Sequence, residues 1–392
     1  MLPLMPPFER ARLLTAVRRR CKLCGCVAIV ATLVLSSCSR HRSRAIVAPV
    51  AIGRAEMRTV RRPHCIACGS SGTELYKDLP DRLFSAPGTW TIKRCDNKQC
   101  ETLWLDPAPA PEDLGEIYST YYTHDAPHFK PLSRAKIAYL QRTYGGDHIN
   151  LGWVEKTLSM MFAMRVRRRM EVDDQVFHLR KTGGGAPSVL DVGCGSGQAL
   201  MLLSRLGWQA VGVEFDEKAA EGARARGLDI RLGSVEQQAF PSDNFDAVTL
   251  SHVVEHLPEP MHTLQECHRI LKPGGTLVLL TPNAVSLGNQ VFGQDWRGLE
   301  PPRHLNVFSP FALALVVAQA GFHDIQSQAS PSGADRILGT SADIRAARRK
   351  HALVAPTRTN KRVGRAMQIL EMALSALGIQ KGEQIMLKAR KG

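Results

Sequence analysis

Three places in the chain hold side chains at spacings that suit chemistry. His252, Glu255 and His256 stand in the run HVVEH, a spacing that on a helix would set two imidazoles on a zinc ion with the carboxylate as general base. Cys65 and Cys68 in CIACG, with Cys95 and Cys100 in CDNKQC, form C-x2-C and C-x4-C pairs. Thiolates so spaced can close a tetrahedral Zn2+ site, and Gly69 suits the tight turn of a zinc knuckle. The run LDVGCGSG carries Asp191, Gly193, Gly195 and Gly197, and Glu214 follows Asp191 by 23 positions. Glycines there let the backbone approach a ligand, and an acid at that distance can accept hydrogen bonds from ribose hydroxyls.

The elements around these residues decide among the chemistries. SVLDVG reads as a buried strand, SGQALMLLSRLG as a helix, AVGVEFD as a second strand, and EKAAEGARARG as a helix stopped by Gly227. DIRLGS and FDAVTLS follow as strands, PMHTLQECHRILKPGG as a helix ended by Pro273-Gly274-Gly275, and TLVLLTPN as a fifth strand. FALALVVAQAGF and HDIQSQAS add a helix and a strand, and EQIMLKARK a last strand. Alternation of this kind predicts an α/β fold, a doubly wound, seven-stranded, mostly parallel sheet. HVVEH then lies at the carboxyl end of a parallel strand, facing a cleft, and protease chemistry is excluded. The loop spacing is G-x-G-x-G followed by Gln198, with an acid ahead of it, rather than the G-x-G-x-x-G that turns a helix N-terminus to a pyrophosphate. A cationic amino-sulfonium ligand suits Asp191 better than a diphosphate does.

Composition sets the outer limits. The 392 residues, 44% hydrophobic, have room for a full core, and the formal charge of +15 is uneven. Residues 1–56 hold +8 of it, so the body is only mildly basic and the charge alone does not argue for nucleic acid. That segment also carries CVAIVATLVL and then SSC, which resembles a lipoprotein-type signal, too short at about ten residues to span a bilayer. It is read as an extension ahead of a start at Met57. Residues 57–110 form a metal-stapled unit closed by LDPAPAPEDL, and 111–180 a helical linker or lid whose Met and Phe positions are read as packing. Residues 181–392 form the α/β domain, with a helical insertion at about 333–380.

The motifs VLDVGCGSG, GVEFD, FPSDNFDAVTLSHVVEHLPEP and ILKPGGTLVLLTPN resemble, in order and spacing, a class I S-adenosylmethionine-dependent methyltransferase over residues 187–283. The segment CIACG…CDNKQC…LWLDPAPAPEDLGEIYSTYY resembles the zinc-binding leader of many bacterial methyltransferases of small molecules and surface or secondary-metabolite sugars, and WRGLEPPRHLNVFSP a segment of the same group. The resemblance implies S-adenosylmethionine as cofactor and a structural Zn2+ on Cys65, Cys68, Cys95 and Cys100. It sets Gly193, Gly195 and Gly197 against the methionine and ribose moieties, Asp191 near the methionine portion and Glu214 on the ribose hydroxyls. Adenine contacts fall to Ser234 or Val235, and His252 lies under the cofactor.

The acceptor side is less defined. Some relatives with E-x-x-E-H hold a divalent ion there; His252 replaces their first Glu, and Glu255 and His256 are read instead as helix-start residues that shape the pocket, with a metal on His252, Glu255, His256 and His304 the lesser alternative. His304 is the candidate general base and His256 its companion, a histidine bonded to its own loop being the equal alternative for His304. Arg297 and Arg303 suit either an anionic substrate group or a solvated surface, and Trp296 either a stacking wall or core. The leading expectation is a cytoplasmic methyltransferase of a small molecule such as a sugar nucleotide or a lipid-linked metabolite, by in-line displacement. An RNA or protein methyltransferase and a non-catalytic scaffold are the alternatives. The C-terminal insertion, basic in its first half and apolar in its second, is read as a lid or homodimer face ahead of a membrane contact.

Overall fold

The computed structural model describes residues 57–118, 132–145, 151–181, 185–354 and 360–392. The readings for residues 1–56, and for most of YSTYYTHDAPHF, lie outside them. The leader contributes β1 (Thr59–Val60), β2 (Gly72–Pro80), β3 (Thr89–Cys95), β4 (Leu103–Leu105) and β5 (Ala108–Pro109). Helices α1 (Leu114–Tyr118), α2 (Arg134–Tyr144), α3 (Trp153–Ala163) and α4 (Val166–Gln175) follow.

The alternating part runs β6 (Ser188–Val192), α5 (Gln198–Arg205), β7 (Gln209–Glu214), α6 (Glu217–Arg224), β8 (Asp229–Leu232), β9 (Phe245–Ser251), α7 (Pro260–Ile270) and β10 (Leu271–Pro282). It continues with α8 (Leu287–Phe292), β11 (Asn306–Val307), α9 (Pro310–Gln319), β12 (His323–Ser330), α10 (Ala334–Arg349), α11 (Lys361–Ala376) and β13 (Gln384–Arg390).

The expected seven-stranded sheet is present, in the order β12-β13-β10-β9-β6-β7-β8. Strands β10, β9, β6, β7 and β8 pair in parallel, and β13 runs antiparallel between β10 and β12. Val189, Leu190, Asp191 and Val192 are all buried, as a strand covered on both faces requires. The strand order reverses between β6 and β9, which opens a crevice at their carboxyl ends. Side chains set the helix starts: Asp216 accepts from the Ala219 amide ahead of α6, and Ser309 from the Ala312 amide, with Pro310 first in α9.

Several expectations need correction. The helix predicted to end at Pro273-Gly274-Gly275 stops at Ile270, because Leu271 already pairs with Phe245 and the glycines lie in an irregular start to β10. The Met-rich stretch is helical as expected, in two helices broken around Arg165. Its methionines are not core: Phe162 is buried, but Met160, Met161 and Met164 are 58%, 51% and 69% exposed.

The boundary near residue 110 is bridged by structure. Strand β11, from beyond the methyltransferase-like motifs, pairs with β4, so the leader sheet reads β11-β4-β3-β2. Arg62 donates to the Leu305 carbonyl at 3.2 Å and to Asn306 Oδ1 at 2.9 Å, and the Ser309 hydroxyl donates to the Cys100 carbonyl at 2.6 Å. The insertion packs inward as well. Leu338, Met367 and Leu374 of α10 and α11 join one apolar cluster with Trp90, Leu103, Leu287 and Trp296, which makes the insertion a wall of the molecule.

Candidate functional site

The loop after β6 is built from left-handed glycines, Gly193 at φ 69°, Gly195 at 54° and Gly197 at 77°. Two are also forced by crowding: a Cβ on Gly193 would lie 2.4 Å from Val253 Cγ2, and one on Gly197 2.3 Å from Leu228 Cδ1. A Cβ on Gly195 would meet nothing within 4 Å, so this glycine borders open space where a ligand fits. Glu214, at the end of β7, accepts from the Gly195 amide at 2.6 Å and from the Phe215 and Asp216 amides at 2.9 Å each. Three amides fix its carboxylate at the lip of that space. Burial raises its pKa, against the pull of the same amides. Asp191 is buried, accepts from the Thr249 hydroxyl at 2.7 Å, and is pushed up to about 7 by burial and by the charge of Glu214.

Beyond β8, the Ser234 amide donates to Gln237 Oε1 at 2.9 Å and Val235 is buried. The residue that sequence reading missed is Phe215. It follows Glu214 with 76% of its surface exposed, an apolar plate beside the carboxylate. His252 follows β9 with φ 56°, a backbone region costly for a residue with a Cβ and frequent at functional sites. Its amide donates to the Leu280 carbonyl at 2.8 Å, and its Nδ1 lies 3.2 Å from Glu255 Oε1.

Across the crevice, Glu255, His256 and His304 converge, each offering a ligand atom within 4.8 Å of the others. Glu255 is fully buried. Burial would raise its carboxyl, but the hydrogen bond from His252 and the surrounding imidazoles outweigh it and hold the pKa at about 2. Its Oε2 also accepts from the Thr281 hydroxyl at 2.9 Å. His256 Nδ1 lies 2.9 Å from the Arg303 carbonyl, and His304 Nδ1 2.7 Å from the Gly298 carbonyl. A carbonyl only accepts, so both rings carry a proton on Nδ1; Nε2 of His256 keeps a lone pair, while Nε2 of His304 lies 3.4 Å from Glu300 Oε2. The Tyr118 hydroxyl reaches His256 Nδ1 at 2.9 Å, a partner invisible to local sequence reading. Burial lowers both imidazoles, His304 far below its ordinary value with His256 adding to the effect, so both are neutral bases at pH 7.

The two arginines divide. Arg303 is fully buried and pairs with Asp81 and Glu300 while donating to the Ile117 carbonyl at 3.1 Å, so it binds the fold and not an incoming anion. Arg297 is tied to Glu300. Trp296 is core, its indole N–H on Glu383 Oε2 at 2.5 Å.

The four leader cysteines also converge, with their Sγ atoms within 4.8 Å of one another and contacts of 3.6 Å (Cys65–Cys100) and 3.4 Å (Cys68–Cys95). Sulfurs about 2.3 Å from one tetrahedral ion would be roughly 3.8 Å apart, so the set suits a zinc ion. The Cys65 thiol is pulled down to about 5 by the Cys100 hydrogen bond and by backbone amides, against burial.

Residues 164–327 match the family described as "Methyltransferase domain". The chain is 41% identical over 102 residues to the ubiquinone biosynthesis O-methyltransferase of Xanthomonas oryzae pv. oryzae, which is 24% of this chain and 43% of that protein. It is 34% identical over 100 residues to a probable S-adenosylmethionine-dependent methyltransferase of Mycolicibacterium smegmatis, covering 25% of this chain and 39% of that one. The chain thus spans less than half the length of the curated relatives it matches. Among solved structures, a SAM-dependent methyltransferase of Archaeoglobus fulgidus aligns at TM-score 0.38 and 20% identity, over 61% of this chain and 100% of that one.

Proposed function

From a chain whose residues 164–327 form a class I S-adenosylmethionine-dependent methyltransferase domain, we propose an enzyme that methylates a hydroxyl oxygen of a small molecule. The observation that carries this reading is the meeting of two half-sites at one switch point. Val192 and Leu250 pair at the carboxyl ends of β6 and β9, so the glycine loop and the His252–His256 turn leave the sheet side by side. The oxygen acceptor is supported by the O-methyltransferase relative and by two neutral imidazoles able to take a hydroxyl proton.

Bound S-adenosylmethionine supplies a methyl group on a sulfonium, open to in-line displacement. Glu214 would hold the ribose hydroxyls, Phe215 would flank the base with Ser234 and Val235 beyond it, and Asp191 would offset the positive charge. His252 would floor the cofactor. His256, less buried than His304, would accept the acceptor's proton on Nε2, while the Arg303 carbonyl and the Tyr118 hydroxyl keep its Nδ1 side fixed. Alignment of the acceptor with the methyl supplies much of the rate, and the packed wall of α8, α10 and α11 keeps that geometry rigid. The four cysteines would hold a structural Zn2+ that fixes the leader. We place the enzyme in the cytoplasm, where the cofactor is made and thiols stay reduced. Among the described residues no helix is long and apolar enough to cross a membrane.

A second reading is favoured by one observation, the convergence of Glu255, His256 and His304. Two imidazoles with Nδ1 tied to carbonyls and a carboxylate fit a divalent cation, which would acidify a bound hydroxyl.

Calorimetric titration of S-adenosylmethionine into the protein tests the assignment. Saturable binding is expected, weakened roughly 10- to 100-fold by Glu214→Ala. Absence of binding by folded, metal-loaded protein would refute it. Methyl transfer that survives exhaustive chelation would remove the divalent-ion reading and leave His256 as base.

A further inference from the structure

The outer face of α3 is unusual for a helix in contact with water alone. Trp153, Met160, Met161 and Met164 are 80%, 58%, 51% and 69% exposed. Positions 153, 160 and 164 fall on one helical stripe, with 161 beside it, while Ser159 and Phe162 on the opposite side are buried. The exposed apolar side is therefore the face turned away from the core, the reverse of ordinary amphipathic packing.

Charge selects the occupant. Exposed Lys156 and Arg165 accompany the stripe, Arg168 beyond them is paired with Glu171, and the acid in α3, Glu155, is paired with Arg134. A second copy of this chain, docked by a two-fold axis, would bring the same cations against one another. An anionic lipid surface accepts both components, indole and thioether groups entering the acyl boundary and cations meeting headgroups.

Position makes the contact useful. Arg167, at the start of α4, pairs with Asp335 of α10 at 2.5 Å. Asp335 lies shortly after Ser330, which pairs with Gln384, itself paired with Pro282 at the carboxyl end of β10. The Arg167–Asp335 pair thus ties the segment just after α3 to α10, which follows a strand end on the same edge of the sheet as the crevice.

We propose that this face of α3 docks the protein on anionic phospholipid bilayers, with the crevice mouth at the membrane surface. Docking does not depend on methyl transfer and is tested without it. Trp153 is a built-in reporter: Trp90, Trp104, Trp208 and Trp296 are buried, at 3%, 2%, 8% and 1% exposure, so a vesicle-induced blue shift in tryptophan emission reads Trp153. The full chain is mixed with vesicles of phosphatidylcholine alone or with phosphatidylglycerol added, and sedimentation and emission are followed. Salt-sensitive binding to the anionic vesicles is expected, with a blue shift that Trp153→Phe abolishes. Met160→Glu with Met164→Glu, both solvent-exposed and so tolerated by the fold, should weaken partition by about tenfold or more. Failure to bind, or binding that the double substitution leaves unchanged, as it would if residues 26–35 were the anchor, would overturn the proposal. So would a dimer in solution that the double substitution separates.

Discussion

The Asp81 carboxylate, in the turn after β2, holds the guanidinium of Arg303, the residue before His304, and both side chains are buried. Asp81 is itself fixed by the Leu83, Phe84 and Ala86 amides, each at 3.0 Å. The Arg303 carbonyl in turn sets the tautomer of His256. A residue of the leader therefore orients the loop that carries His304. Asp81→Ala leaves a buried guanidinium with part of its partner set missing, and should destabilise the protein by about 3–5 kcal/mol in urea denaturation. Asp81→Asn, whose single oxygen can keep the Leu83 and Phe84 contacts but whose NH2 cannot accept from Ala86 or Arg303, should cost less stability than Asp81→Ala while still lowering the rate.

The proposed place of Asp191 beside the sulfonium predicts a pH dependence for cofactor binding. Its carboxyl is pushed up to about 7. Below that point the protonated acid offers a cation no attraction, and above it the carboxylate does. Affinity for S-adenosylmethionine should therefore rise with pH, by at most roughly tenfold per unit below the pKa, and level off above it. Calorimetry from pH 6 to 8.5 checks this, and Asp191→Asn should give a flat, weak profile.

Glu371 of α11 and Glu383 at the start of β13 make a buried acidic pair. Glu383 accepts from the Gly288 amide at 2.6 Å and from Trp296, while the Glu371 oxygens have no donor among the described residues. Burial, and for Glu371 the charge of Glu383, raises both carboxyls, so Glu371 keeps a proton it can donate to its neighbour. The folded state binds more protons than the unfolded one, so stability is full below the ordinary glutamate range near about 4.3 and falls as pH rises through the folded values. Glu371→Gln should flatten that decline and be the more stable protein at pH 8, as read by urea midpoints at pH 5 and 8.

The cysteine cluster predicts a metal requirement. Purified protein should carry zinc at one ion per leader, lost in Cys95→Ser as measured by elemental analysis. Binding at such sites supplies folding free energy on the order of 10 kcal/mol. Chelation should lower the thermal midpoint, and the Ser309–Cys100 bond should carry the disturbance into the loop before α9.

Local features were legible in the sequence, and distant ones were not. The glycine loop, Glu214 and the strand alternation each depend on neighbours a few positions away, and their patterns survive folding. Arg303 read as a surface or anion-binding residue because arginine is seldom fully buried, and the partner that permits it, Asp81, is 222 positions away. Trp296 kept two readings for the same reason, its partner Glu383 being 87 positions distant. Strand β11 is two residues long, too short for any periodicity, so its union with the leader could not be foreseen. For α3, the Met and Phe positions read alike as packing, because composition does not say which side of the helix meets the core.

The antiparallel strand β13, wedged between β10 and β12, has a consequence for how the chain is made. The bond from Asn283 to the Gly382 carbonyl spans 99 positions, so on the ribosome β10 emerges long before the strand that covers its edge. Until then an apolar strand, with Leu277, Val278, Leu279 and Leu280 all destined for the interior, presents unpaired amides and carbonyls to its surroundings. Pairing over such separations is slow. Capture of the β10 edge by another chain before β13 is made is therefore the expected failure of folding, and shielding of β10 should raise the yield.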